Sequence, residues 1–253
     1  MEVHHHTHHP KKLKEYIQEF LMLFFAVFLG FMAEYYLEYR AERHKEHDYL
    51  TSMTVDLKSD LAEMKARDSG MVQLNLAGNK LVQEIYKPTW AGTDIDSIYL
   101  HSIKIVTQFI QVRFSSGTAD QLRNAGGYRL IQNEEIVDKI SDYEKGKVEM
   151  GRQLESIMEH WADIHRMQDK ILHLNVFPGL NKQGKVIYDR KFLNKIQSQT
   201  GSAFLTADKN LFYEYANHVN VVFGYVAFYK LMSERQQVKA NELIKLLEKE
   251  LEH

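Results

Sequence analysis

From Phe20 to Ala33 the chain reads Phe-Leu-Met-Leu-Phe-Phe-Ala-Val-Phe-Leu-Gly-Phe-Met-Ala, with no charged side chain in the run. About 14 residues is short for a bilayer, and the competing reading is a buried core helix. Yet the run is apolar around its whole circumference, whereas a helix of a soluble domain keeps a polar face. Extended to Tyr16 and Leu37, it measures roughly 33 Å at 1.5 Å per residue and carries Tyr16, Tyr35 and Tyr36 where an aromatic belt would sit. Signal cleavage needs small residues at two positions, one residue apart, after the run. Ala33 is preceded there by Phe31 and Gly30 by Phe28, so the segment is expected to remain as a signal anchor. The expected organisation is a His/Lys-rich tail over 1–15, a transmembrane helix over 16–37 and a soluble domain over 38–253.

Charge does not set the orientation, because Lys11, Lys12 and Lys14 before the span are nearly balanced by Arg40, Arg43 and Lys45 after it. Over the full 253 residues, 32 basic and 34 acidic side chains leave a formal charge of -2, which gives no basic field to gather nucleic acid. The chain has no cysteine, so disulfides, thiolate zinc sites, iron–sulfur clusters and cysteine nucleophiles are excluded together. Only Pro10, Pro88 and Pro178 interrupt long stretches rich in Glu, Lys, Leu, Ala, Gln and Met. The fold class that follows is all-α: one N-terminal transmembrane helix continuing into a soluble bundle of long antiparallel helices.

Periodicity places the helices. Leu50, Met53, Leu57, Leu61, Met64, Met71, Leu74, Leu81 and Ile85 recur at spacings of three, four and their sums, so the membrane helix is predicted to run on to about Tyr86, with a break near Ser69-Gly70. A loop at 87–92 precedes a helix predicted from Ile95 to Phe114, with Thr93 or Asp94 as its cap. Thr118 followed by Gln121 has capping-box spacing for a short helix carrying Leu122 and ending at Gly126-Gly127. Asn133 caps a long helix with Glu134 and Glu135 in its first turn. After a loop at 175–189, with a brief strand at Val186–Tyr188, come a small helix near Arg190–Gln197 and a closing helix from about Ala207 to Glu252. Its stretch Val219–Met232 is apolar enough to raise a second span, but Asn220 and Lys230 favour a core helix.

Two further stretches are read together. One is Glu2-Val3-His4-His5-His6-Thr7-His8-His9-Pro10 followed by lysines, Tyr16 and the Phe-rich span ending Gly30-Phe31-Met32-Ala33-Glu34. The other is Ala119, Leu122, Gly126-Gly127, Leu130-Ile131, Asn133, Glu134, Ile140 and Tyr143. Together these stretches resemble a family of single-span inner-membrane proteins of Bacteroidota with no assigned activity, and the resemblance implies a bacterial inner-membrane location, a cytoplasmic N-terminus and a periplasmic helical domain. It implies no reaction.

His4, His5, His6, His8 and His9 form the one dense ligand cluster, and a tract of neutral imidazoles can wrap zinc or copper. An expression tag would bind metal in the same way, and a tail with no ligand is the blander alternative. His44 and His47 stand three apart on a charged helix and read as a solvated face; His160 and His165 are five apart and do not share a face. The soluble domain does not carry the two Glu-x-x-His pairs of the di-iron kind, and the chain has neither a complete phosphate loop nor a Gly-x-Ser-x-Gly elbow.

Within the span, Glu19, Ala26, Gly30, Ala33 and Glu34 fall on one side of a helix, and Ala26 and Gly30 make a small-x-x-x-small pair. That face is expected to meet a second copy or a partner transmembrane helix. With no catalytic constellation present, the expected function is a membrane-anchored interaction or scaffold protein, an accessory subunit of an inner-membrane assembly. A ligand-sensing or metal-binding membrane module is the alternative.

Overall fold

The structure, a computed structural model, describes residues 12–108 and 110–252. Among the described residues are six α-helices: α1 Leu13–Ile85, α2 Gly92–Thr107, α3 Gly117–Asn124, α4 Glu134–Ile171, α5 Arg190–Thr200 and α6 Lys209–Leu251. Two 3-10 turns, Gly127–Leu130 and Leu174–Val176, join them, and the fold is all-α as the periodicity requires.

Three long helices carry most of the core, each mainly through one heptad series. In α6 it runs Tyr215, Val219, Val222, Val226, Tyr229, Ser233, Gln236, Ala240, Leu243 and Leu247, all buried. In α1 the series is Glu46, Leu50, Met53, Leu57, Asp60, Met64, Arg67, Met71, Leu74, Gly78, Leu81 and Ile85; in α4 it passes through Ile136, Ile140, Tyr143, Met150, Ile157, Trp161, Ile164 and Ile171. Helix α6 packs antiparallel along both α1 and α4, and α2 lies against α1. Lys58 pairs with Glu248 at 2.7 Å near one end of α1·α6, and Tyr86 stacks on Tyr213 at 5.1 Å at the other. Between them Gly78 lets the helices close: a Cβ there would fall inside the Phe223 ring.

Helix α1 spans 73 residues, roughly 110 Å at 1.5 Å per residue. Its first part contains a stretch long and apolar enough to cross a membrane, none of it buried against the rest of the chain. The predicted break at Ser69-Gly70 does not occur. Ser69 Oγ donates to the Lys65 carbonyl, and Met64, Met71 and Leu74 are fully buried on either side, so packing carries the helix through the glycine.

Helix α2 ends at Thr107 rather than near Phe114, because the backbone beyond it finds partners on other helices. Val112 N–H donates to the Tyr229 hydroxyl at 3.3 Å and Ser115 N–H to Asp60 at 2.7 Å. At its start neither Thr93 nor Asp94 is the cap residue: Ala91 holds that position, and Asp94 reaches back to accept from its N–H at 2.8 Å. The predicted strand at Val186–Tyr188 reduces to one antiparallel bridge between Leu180 and Val186. Asp189 caps α5, and Asp208 caps α6.

Candidate functional site

Between α2 and α4 the chain crosses α1 in a largely non-helical path, and its backbone polar groups must be satisfied without a ladder. Acidic side chains of α1 take that role. Asp60 Oδ1 accepts from Ser115 N–H at 2.7 Å, Asp56 Oδ2 from Thr118 N–H at 3.3 Å, and Glu46 Oε1 from Gln132 N–H at 2.7 Å. Arg43 pairs with Glu46 and donates to the Leu130 carbonyl at 3.0 Å. From α4, Tyr143 hydroxyl donates to Asp60 Oδ2 at 2.8 Å, and Lys147 donates to the Ser115 carbonyl at 2.6 Å and to Glu144 at 2.8 Å. Asn133 Nδ2 reaches Glu250 near the end of α6 at 2.8 Å. The result is a clasp in which one segment is held to α1, α4 and α6 at once.

Asp60 is the buried centre of the clasp. Burial pushes its carboxyl above the ordinary value, against the opposing pull of the Ser115 N–H, the Tyr143 hydroxyl and the Lys147 charge. Tyr143 is also pushed up, by burial first and then by the neighbouring Asp60 charge, so the phenol keeps its proton and donates.

The turn motif falls inside this clasp. Leu122 is buried under it, Gly126 has φ 64° and stops α3, and Asn133 Oδ1 accepts from Glu135 N–H at 3.1 Å as the cap of α4. Gly127 is needed for closeness: a Cβ there would lie 3.1 Å from Leu122 Cα and 3.3 Å from the Tyr49 ring. Thr118 is not the cap that its spacing suggests. It lies in the first turn of α3, buried, and a carboxylate from another helix, Asp56, accepts from its N–H.

Glu19, Ala26, Gly30, Ala33 and Glu34 all lie exposed along the first part of α1, and the space a Cβ would enter at Gly30 is open. The histidine tract, His4 to His9, lies outside the described residues. His44 sits 3.7 Å from Asp48 on the exposed face of α1, and the His160 ring lies tilted against Tyr225 with centroids 4.8 Å apart. Among the described residues no group of three or more His, Asp or Glu side chains is placed to hold a metal ion.

A second feature is a groove of about 870 Å³ between the end of α2 and α4, lined by Val106, Ile110, Leu154, Met158 and Trp161, with Glu155, Glu159 and His165 at its polar positions. Such a mixture suits an amphipathic small molecule. Sequence reasoning missed both the groove and the clasp. The signal for the clasp was available: Glu46, Asp60 and Lys147 sit at heptad core positions, where a charged side chain is costly unless it is paired.

No protein-family model matches the chain, and no curated protein and no solved structure matches it.

Proposed function

We propose that the chain is a membrane-anchored helical scaffold, an accessory subunit of a bacterial inner-membrane assembly. The observation that supports this reading is the continuity of α1: one helix holds the exposed apolar segment and then contributes a complete heptad series to the core. A partner that grips the segment is thereby coupled to the bundle without a hinge. The buried charged residues of the clasp serve folding, which leaves surface recognition as the work of the domain. In this reading the N-terminus is cytoplasmic and the bundle periplasmic, as the family resemblance implies, and the face of Ala26 and Gly30 meets another transmembrane helix.

Purification from native membranes followed by mass spectrometry tests the reading. A stoichiometric membrane partner or a homo-oligomer is expected; a lone monomer would overturn it. The protein should also resist alkaline carbonate extraction, and a periplasm-dependent reporter fused after His253 should be active. Ligand sensing is the second reading, favoured by the groove beside Trp161, and it requires a small molecule that co-purifies and is lost when Met158 or Ala162 is replaced by a bulky residue. Zinc or copper at His4, His5, His6, His8 and His9 is a separate proposal. Replacing the five with serine should lower the metal content of protein isolated from native cells.

A further inference from the structure

A helix of a closed bundle needs one apolar stripe, and α6 has two. The inner one is the buried heptad series from Tyr215 to Leu247. The outer one is Asn217, Val221, Gly224, Phe228 and Leu231, again spaced four, three, four and three, on the side of α6 opposite the buried series. Val221, Phe228 and Leu231 are 46%, 48% and 40% exposed, and Val221, Gly224 and Phe228 line a shallow hollow with Tyr225 and Gln153. From 215 to 229 the chain has no Asp, Glu, Lys or Arg, so this face lacks the charged side chains that normally cover a solvated helix.

We infer that the outer stripe of α6 is the seam of a parallel, two-fold dimer with a second copy of this chain. This rests on the membrane-anchored reading proposed above. Heptad spacing specifies a helix as the occupant. The choice of a second copy comes from height and direction. Through the unbroken α1, the Gly78–Phe223 level of the bundle stands roughly 60 Å from Leu37, at 1.5 Å for each intervening residue. Two copies in one membrane present the same stripe at the same height and in the same direction, so their α6 helices can pair only in parallel and in register. Each position then faces its own counterpart.

The residues suit that arrangement. Asn217 faces Asn217, and an amide both donates and accepts, so the pair is self-complementary and disfavours a slipped register. Gly224 facing Gly224 lets the backbones approach. The next heptad position is Arg235, where like charges would meet, and this sets the end of the seam beyond Leu231. The apolar area is small for a dimer in free solution. Confinement in one membrane raises the effective concentration and offsets that deficit.

The absence of cysteine makes the test direct. In the full-length protein in native membranes, Gly224→Cys places a thiol where nothing lies within 4 Å, and oxidation should give a reducible product of twice the chain mass. Val55→Cys, exposed on α1 away from the stripe, controls for random collision. Expected is several-fold more dimer for Gly224→Cys, and its loss when Phe228→Glu is added, with the thermal transition little changed because Phe228 is half exposed. Dimer no greater than the Val55→Cys level, or a product containing a different polypeptide, would overturn the seam. Carbonate extraction of the same membranes separates the two failures. Protein that stays in the membrane without cross-linking refutes the seam alone; protein that washes out refutes the anchored reading and the seam with it.

Discussion

The two ends of the bundle face the same problem and solve it with different chemistry. Toward the apolar segment, the connection from 110 to 133, which includes α3, is fixed by carboxylates: Glu46, Asp56 and Asp60 of α1 take its backbone N–H groups, and Glu250 of α6 takes the Asn133 amide. At the far end, the connection from 172 to 208, which includes α5, packs on rings. Trp90 lies 4.6 Å from Phe212, Phe204 lies 5.0 Å from Phe212 and 5.6 Å from Tyr99, and Tyr99 lies 6.0 Å from Tyr188. Hydrogen bonds there are mostly local to the segment, through Asn181, Asp189, Thr200 and Ser202, and those that reach α2 by a side chain include tyrosine, as where Tyr99 donates to the Ala203 carbonyl and accepts from His173 N–H. Directional partners hold a segment in one register. Rings contribute more burial and less direction.

The largest expected effects compare the two ends. Phe212→Ala removes the centre of the ring cluster and should cost about 3–5 kcal/mol. Asp60→Ala leaves the Ser115 N–H and the Tyr143 hydroxyl without acceptors and should cost about 2–3 kcal/mol. Thermal unfolding of the full-length protein in detergent measures both. Equal losses would mean that the clasp contributes as much as the rings and would remove the contrast.

Acidity sharpens the contrast, because two carboxyls shift in opposite directions. Asp60, raised by burial, binds its proton more tightly in the folded state, so its contribution is fully present below the unfolded value of 3.8 and is lost as pH rises through the folded value. The stability advantage of the native chain over Asp60→Asn should therefore grow as pH falls from 7 toward 4. An advantage that shrinks would mean that Lys147 and the two donors outweigh burial. Asp94, near the rings, is lowered first by the hydrogen bond from Lys87, so its contribution is present above 3.8 and is lost as pH falls through the folded value. Carboxyl NMR should find the Asp60 midpoint above 3.8 and that of Asp94 below it.

Smaller effects come from the ends of the clasp. Asn133→Ala loses the α4 cap and the contact to Glu250 and should cost about 1 kcal/mol. Gly126→Ala places a Cβ at φ 64° and should cost about the same, whereas Gly151→Ala, in α4 with open space beside it, should stabilise by about 0.5–1 kcal/mol.

What could be read from the sequence divides along the same line. Heptad positions from Leu50 to Ile85 and from Ile136 to Ile171 announced the long helices, and Asn133 announced its own cap, because these signals are local. The end of α2 was not legible, since Val112 and Ser115 find their partners on α6 and α1, far away in sequence. Thr118 misled for the same reason: its spacing fits a local capping box, but its N–H is taken by Asp56. The groove depends on how α2 and α4 meet, and no single segment encodes that.

The central claim is that the helix carrying the apolar segment continues unbroken into the core. Spin labels on cysteines at Leu29 and Val55, both exposed on α1, measure it in lipid nanodiscs, with the labelled protein diluted by unlabelled copies to suppress distances between chains. At 1.5 Å per residue a continuous helix gives a narrow distribution centred at ~39 Å. A broad distribution centred well below that value would place a hinge between the apolar segment and the bundle and contradict the claim.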